Sequence, residues 1–213
     1  MTSQTKTNEY ILATGAPGSR WSGVVKGIYF SKDINHSDYQ EDKTFYFSEE
    51  DEEQGKKPNH FATYFGAGQE YGVQREEWDK PFKKDSEGIK IIKSHDFAYQ
   101  LEHLTNYGYP IIIVYRPPID CFEWWHEAGG WNIKYPNYSN YVNDDYLFLE
   151  IENQCAEIQR FLHYNKSHIT KCENPYELCD NIDISRPDDI FAMTQGCLLY
   201  TYDAADDVNG VDL

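Results

Sequence analysis

The sequence predicts an α/β fold: a single three-layer domain with a mostly parallel sheet, opened by a strand, a loop and a helix in the manner of a P-loop. Three observations carry this. Short apolar runs at Tyr10–Ala13, Ile89–Ile92 and Ile111–Tyr115 alternate with segments of helical spacing, as expected of parallel strands joined by crossover helices. A turn-rich loop, Thr14-Gly15-Ala16-Pro17-Gly18-Ser19-Arg20, separates the first run from the first helical segment. The other two runs deliver Lys93-Ser94-His95 and Arg116-Pro117-Pro118-Ile119-Asp120, and in open α/β sheets the carboxyl ends of strands are where ligands bind.

The elements follow in order. Residues 1–8 are polar and expected to fray. After the first strand and loop, Ser22 to Phe30 reads as a helix carrying two glycines. Residues 33–60 form a polar insertion, and His60 to Gly72 mixes aromatics with glycine as a loop. Ile89–Ile92, Phe97–Leu104 and Ile111–Tyr115 read as strand, helix and strand. Asp120 to Glu127 begins a helix that Gly129-Gly130 breaks, and the stretch from Asn132 to Asn143 is irregular. From Leu147 to Tyr164 the start is strand-like; helical spacing then puts Ile151, Cys155, Ile158, Phe161 and Leu162 on one face. No internal repeat is present. Residues 1–196 are therefore expected to form the domain. The tail 197–213 (CLLYTYDAADDVNGVDL) has no placeable pattern and resembles a translated sequencing adapter. It is expected to be non-native or disordered and to lie outside the fold.

Composition narrows the function. With 213 residues, 40% hydrophobic and 16% aromatic, the chain can bury a real core. A net charge of −17 argues against nucleic acid as a partner, which needs a basic footprint. It leaves room for a small anionic ligand held by a local cluster of donors. The acidic run Asp38, Glu41, Asp42, Glu49, Glu50, Asp51, Glu52, Glu53 reads first as a solvated loop. No stretch is long and apolar enough for a membrane helix, and MTSQTKTNEY has no apolar leader core, so a cytoplasmic protein without a membrane partner is expected. Five irregularly spaced cysteines read as thiols.

Three segments carry chemistry. Backbone N–H groups of a glycine-bearing turn, with a helix N-terminus, make an anion site without side-chain charge. The Walker pattern is half met: Gly15 and Ser22 fit, while Arg20 and Trp21 stand in place of Gly and Lys. A structural strand-to-helix turn explains that loop about as well. His95 is the side chain best suited to take a proton near neutral pH, and Lys93, two residues earlier in extended chain, projects to the same side. The Arg116 fork suits phosphate or sulfate, and Asp120 could cap the next helix. Taken singly, a cap residue and an Arg–Asp ion pair are the plainer readings.

Together, in this order, Pro17-Gly18-Ser19-Arg20-Trp21-Ser22, Lys93-Ser94-His95 and Arg116 to Asp120 resemble the sulfotransferases that use 3′-phosphoadenosine-5′-phosphosulfate (PAPS). That family carries P-K-S-G-T-T-W, then K-T-H, then a strand ending in R-x-P-x-D or R-N-x-x-D. The resemblance spans roughly residues 8–165, with 33–85 unmatched. It implies a P-loop sulfotransferase domain that moves the sulfuryl group of PAPS, a small-molecule nucleotide donor, to an acceptor hydroxyl. His95 would be the general base and Lys93 would stabilise charge at the reacting centre. Pro17, Gly18, Ser19, Arg20, Trp21 and Ser22 would hold the 5′-phosphosulfate, and Arg116 the 3′-phosphate. No metal is implied. Gly18 stands where the family has a cation, so Arg20 would reach in from two positions later. Gly23 stands where it has an adenine-stacking Trp, for which Trp21 or Trp124 would substitute. Trp124 stands where it has a phosphate-binding Ser. A carbohydrate is the preferred acceptor, since Trp124, Trp125, Trp131, Tyr135, Tyr138 and Tyr141 could line a sugar face, although core packing is the commoner use of aromatics. A tyrosine or small alcohol is the alternative. A small nucleotide-dependent kinase and a non-catalytic binding protein on the same scaffold are the rival readings. His163, His168, Cys172 and Cys179 lack the tight Cys pair of a structural zinc site and read as unlinked side chains.

Overall fold

Strand β1 (Tyr10–Gly15) is buried along its whole length and lies between β2 (Lys90–Lys93) and β3 (Ile111–Tyr115), both parallel to it. The computed structural model describes residues 9–38, 74–132, 141–187 and 198–202. Over these residues the sheet runs β2-β1-β3-β5-β4, with β4 at Ile169–Cys172 and β5 at Leu198–Tyr202. β5 is antiparallel to both neighbours, so the parallel part is the β2-β1-β3 trio. The fold class is α/β.

An apolar run buried on both faces is what a parallel strand flanked by helices requires. Alternation in β1 divides its side chains between two cores. Ile11 and Ala13 join Val24, Val25 and Ile28 of helix α1 (Trp21–Tyr29) and Leu178 and Cys179 of helix α5 (Pro175–Asn181). Tyr10 and Leu12 face the other way, toward Leu101 and Leu104 of the short helix α2 (Leu101–Thr105) and Ile158 and Phe161 of helix α4 (Asp144–Tyr164). Each fully buried aliphatic side chain contributes about 1.5–3 kcal/mol, so the helix positions are set chiefly by these two faces.

The element boundaries differ from expectation in several places. The strand-like start at Leu147 is helical. Asn143 Oδ1 accepts the Tyr146 backbone N–H at 3.0 Å, and Asp144 and Asp145 occupy the first turn. A cap and two dipole-complementing acids thus start α4 before its apolar stripe begins. The helix after β2 opens as a 3-10 segment, Asp96–Gln100. Helix α3 (Pro118–Glu127) starts two residues before Asp120, on a proline suited to the first turn. β4 and α5 have no counterpart in the sequence reading. β4 offers only Ile169 and Cys172 as apolar positions, and α5 is announced mainly by Asn174, whose side chain accepts from Tyr176 and Glu177 N–H. The expectation that the chain beyond Cys197 stays outside the fold is corrected over 198–202: β5 fills the gap between β3 and β4, pairing Ile113 with Tyr200 and Lys171 with Tyr200 on its two edges. Residues 1–8, the acidic run beyond Asp38, the 60–72 loop, Tyr135 and Tyr138 lie outside the described residues.

Candidate functional site at the carboxyl edge of three strands

The register pairs Ala13 with Lys93 and Gly15 with Val114. The three segments singled out in the sequence therefore emerge side by side, on adjacent strands, at one edge of the sheet. Thr14 fastens two of them, its hydroxyl donating to the Ser94 carbonyl at 2.8 Å.

The loop after β1 turns through Gly18 (φ 77°) and Arg20 (φ 66°). Gly18 is required twice over: its backbone is left-handed, and an added Cβ would fall 1.9 Å from the Cys121 carbonyl oxygen of α3. Pro17 and Ser19 are buried, and Ser19 N–H closes the turn on the Ala16 carbonyl at 3.0 Å. The loop thus packs onto α3. Arg20 is the N-cap residue of α1 and supplies no side-chain cap, and no acid occupies the first turn of α1. Ser22, in that turn, is exposed.

Arg20 reaches sideways. Its guanidinium carbon stands 3.2 Å from the ring centroid of Trp124, while that of Arg116 stands 6.0 Å from the same ring. Two guanidinium groups, one from the N-cap of α1 and one from the end of β3, therefore stand near one indole. A cation on an indole face is stabilised by about 0.5–2 kcal/mol. Arg116 is buried, and its carbonyl oxygen accepts from the thiols of Cys121 at 3.5 Å and Cys155 at 3.4 Å. Cys155 is held below the usual thiol range by the hydrogen bond from Cys121, which outweighs burial.

His95 and Lys93 are both buried. The His95 ring meets Trp21 edge-on, centroids 4.9 Å apart. The Trp21 indole N–H donates to His95 Nε2 at 3.2 Å, and His95 Nδ1 lies 2.5 Å from the Gly15 carbonyl oxygen. The extended-chain rule that put Lys93 and His95 on one side stops short, because His95 has helical backbone angles (φ −63°, ψ −39°). Lys93 acts on Asp38 instead. Burial raises the Asp38 carboxyl above its ordinary value, opposed by the Tyr29 hydroxyl bonded at 2.6 Å and by the Lys93 charge.

The remaining candidates are dispersed. Trp125 and Tyr141 belong to an apolar cluster with Ala16, Leu147 and Ile151. Trp131 leans on Trp125 and donates its indole N–H to Asp144 at 2.7 Å. Cys172 and Cys179 lie in the core beneath α1, and burial pushes the Cys179 thiol up to about 11. Among the described residues no group of three or more His, Cys, Asp or Glu side chains is arranged to hold a metal ion, and no helix is long and apolar enough to cross a membrane.

Sequence reasoning missed three partners: Asp38 for Lys93, Trp21 for His95, and the two thiols on the Arg116 carbonyl. Only Trp21 left a signal, as the odd residue at the Walker lysine position. Comparison with protein-family models, curated proteins and solved structures finds no match.

Proposed function

We propose that this chain is a PAPS-dependent sulfotransferase acting on a hydroxyl acceptor, built as a three-layer domain whose first strand, loop and helix serve as a P-loop-like anion site. One observation carries the reading. The three segments that resemble the family end together on β2, β1 and β3, with Arg20 and Arg116 gathered around Trp124. That donor chemistry fits a ligand with two separate anionic groups: two guanidinium forks, plus a helix N-terminus free of side-chain capping.

In this reading Arg116 holds the 3′-phosphate and Arg20 the 5′-phosphosulfate, with Trp124 or Trp21 beside the base. PAPS supplies an activated sulfuryl group; the protein orients the acceptor and stabilises charge. His95 takes the acceptor proton through Nε2. Lys93, whose charge also acts on Asp38, contributes positive charge at this edge. A carbohydrate remains the preferred acceptor, and the cytoplasm the proposed location.

Binding without catalysis is the second reading, favoured by the Trp21 indole N–H already seated on Nε2. Thermal shift separates the possibilities, since a ligand that binds only the folded state raises its midpoint. The sulfotransferase reading expects stabilisation by adenosine 3′,5′-bisphosphate over ATP·Mg²⁺, lost in Arg116→Ala. It further expects sulfuryl transfer that His95→Ala abolishes without loss of bisphosphate binding. Bisphosphate binding without turnover on any hydroxyl acceptor would favour the second reading. Indifference to both nucleotides would sink the first.

A further inference from the structure

The hydrogen bonds of His95 determine its protonation. An indole nitrogen has a proton to give and no lone pair to offer. With Trp21 Nε1 at 3.2 Å, His95 Nε2 must be the acceptor and carry no proton. A carbonyl oxygen only accepts, so the ring proton sits on Nδ1, 2.5 Å from the Gly15 oxygen. His95 is therefore the neutral Nδ1–H tautomer, and its one basic lone pair is occupied. The contact is sealed: Trp21 is 6% and His95 7% exposed.

We propose that Trp21 is a positioning residue that gates His95. Its indole N–H covers Nε2, the only nitrogen through which His95 can accept a proton, and it must leave before His95 acts as a base. Protonation with Trp21 in place would set two N–H groups against each other, so proton uptake and this contact exclude one another. The gate adjoins the turn that the sulfotransferase reading assigns to the anion. Trp21 opens α1, directly after Arg20, whose left-handed backbone (φ 66°) is a strained conformation for a residue with a side chain. A rearrangement that relaxes Arg20 around an anion turns the residue that follows it. The inference rests on the sulfotransferase reading only for what replaces the indole at Nε2, an acceptor hydroxyl. The occupancy of Nε2 belongs to the protein alone.

The test uses the 213-residue chain without ligand. Diethyl pyrocarbonate acylates an imidazole through its unprotonated nitrogen. His95 is expected to react at least tenfold more slowly than the exposed His36 and His163, by peptide mass. Trp21→Phe, which keeps a ring and removes the N–H, is expected to raise the His95 rate at least tenfold and leave the other two unchanged. Equal His95 rates in the two proteins, both folded by circular dichroism, would overturn the gate. If the variant does not fold, the wild type still decides. In ¹H–¹⁵N spectra of histidine- and tryptophan-labelled protein, His95 must show a protonated Nδ1 and a hydrogen-bonded, unprotonated Nε2. A protonated Nε2, or a free one, refutes the gate. Adding adenosine 3′,5′-bisphosphate afterwards scores the functional reading separately: no binding with the Nε2 signature present leaves the gate standing and removes the proposed cofactor.

Discussion

Gly18 is the residue on which the site loop depends most. Alanine there meets a left-handed backbone and an α3 carbonyl that cannot swing aside as a side chain would. Gly18→Ala is expected to destabilise the protein by about 2–4 kcal/mol in urea unfolding; a loss below about 1 kcal/mol would mean that the loop can leave α3 at little cost. Gln154 presents the opposite case. Its amide N–H₂ donates to Glu150 at 2.8 Å, while its carbonyl oxygen is buried without a hydrogen-bond partner among the described residues. Glu150 keeps a second donor, the Tyr99 hydroxyl, at 2.8 Å. Removing a buried unsatisfied group relieves its desolvation penalty, so Gln154→Leu is expected to raise stability by about 1 kcal/mol, and a lower melting midpoint would show that this oxygen is satisfied in solution. Gln154 and Glu150 meet through helical spacing, whereas Trp21 meets His95 across 74 positions only through the fold, and the one hint in the sequence was the odd residue at the Walker lysine position.

At the level of elements, a carboxylate ties β1 and β2 to the 3-10 turn Arg75–Glu77. Asp79 Oδ1 accepts from the Tyr10 hydroxyl and from Lys90 Nζ, each at 2.6 Å, and Arg75 reaches Oδ2 at 3.3 Å. Burial works to raise the Asp79 carboxyl, but hydrogen bonds from Lys90 and Tyr10 and the Lys90 charge prevail and hold it at about 2, against an ordinary 3.8. A carboxyl depressed in the folded state favours folding above its unfolded value, and that contribution disappears as pH falls through the folded one. Wild type is therefore expected to exceed Asp79→Asn in stability at neutral pH, with the gap closing from about pH 4 to about pH 2. Half the Asp79 side chain is in water, so the gap is small. Paired denaturation curves across that range check it, and a gap independent of pH would show that the bonds, rather than the charge, matter. The three strands of this trio were legible because their apolar runs are dense and end in chemically distinctive residues. β4 and α5 were not, because an edge strand with two apolar positions and a helix of seven residues carry too little periodicity to register.

For the whole molecule, the decisive question is what joins the parallel trio to β4. The three parallel strands could be read from their apolar runs, and so could the edge at which the Lys93-to-His95 and Arg116 segments emerge; the division into two cores came only with the structure. The sheet beyond β3 could not be read, because its central member comes from a tail whose sequence looks foreign to the rest. β5 pairs with β3 from Ile111 to Tyr115 and with β4 from Ile169 to Cys172. Without it, two rows of backbone donors and acceptors lose their partners, and β4 loses its strand neighbour, keeping the packing of Ile169 and Cys172 in the two cores. Unpaired buried backbone groups are costly, and open edges invite association. A chain ending at Gly196 is therefore expected to unfold at a lower midpoint and to form oligomers at concentrations where the full chain does not. Its β1-β2 pair should survive, since β1, β2, α1 and α2 make no ladder contact with β5. Hydrogen exchange then separates the cases: protection kept at Leu12 and Ile92 but lost at Ile113 and Thr170 is expected. An unchanged midpoint, with protection intact at Ile113, would show that β5 adds nothing to the folded unit and return the tail to the position its sequence suggested.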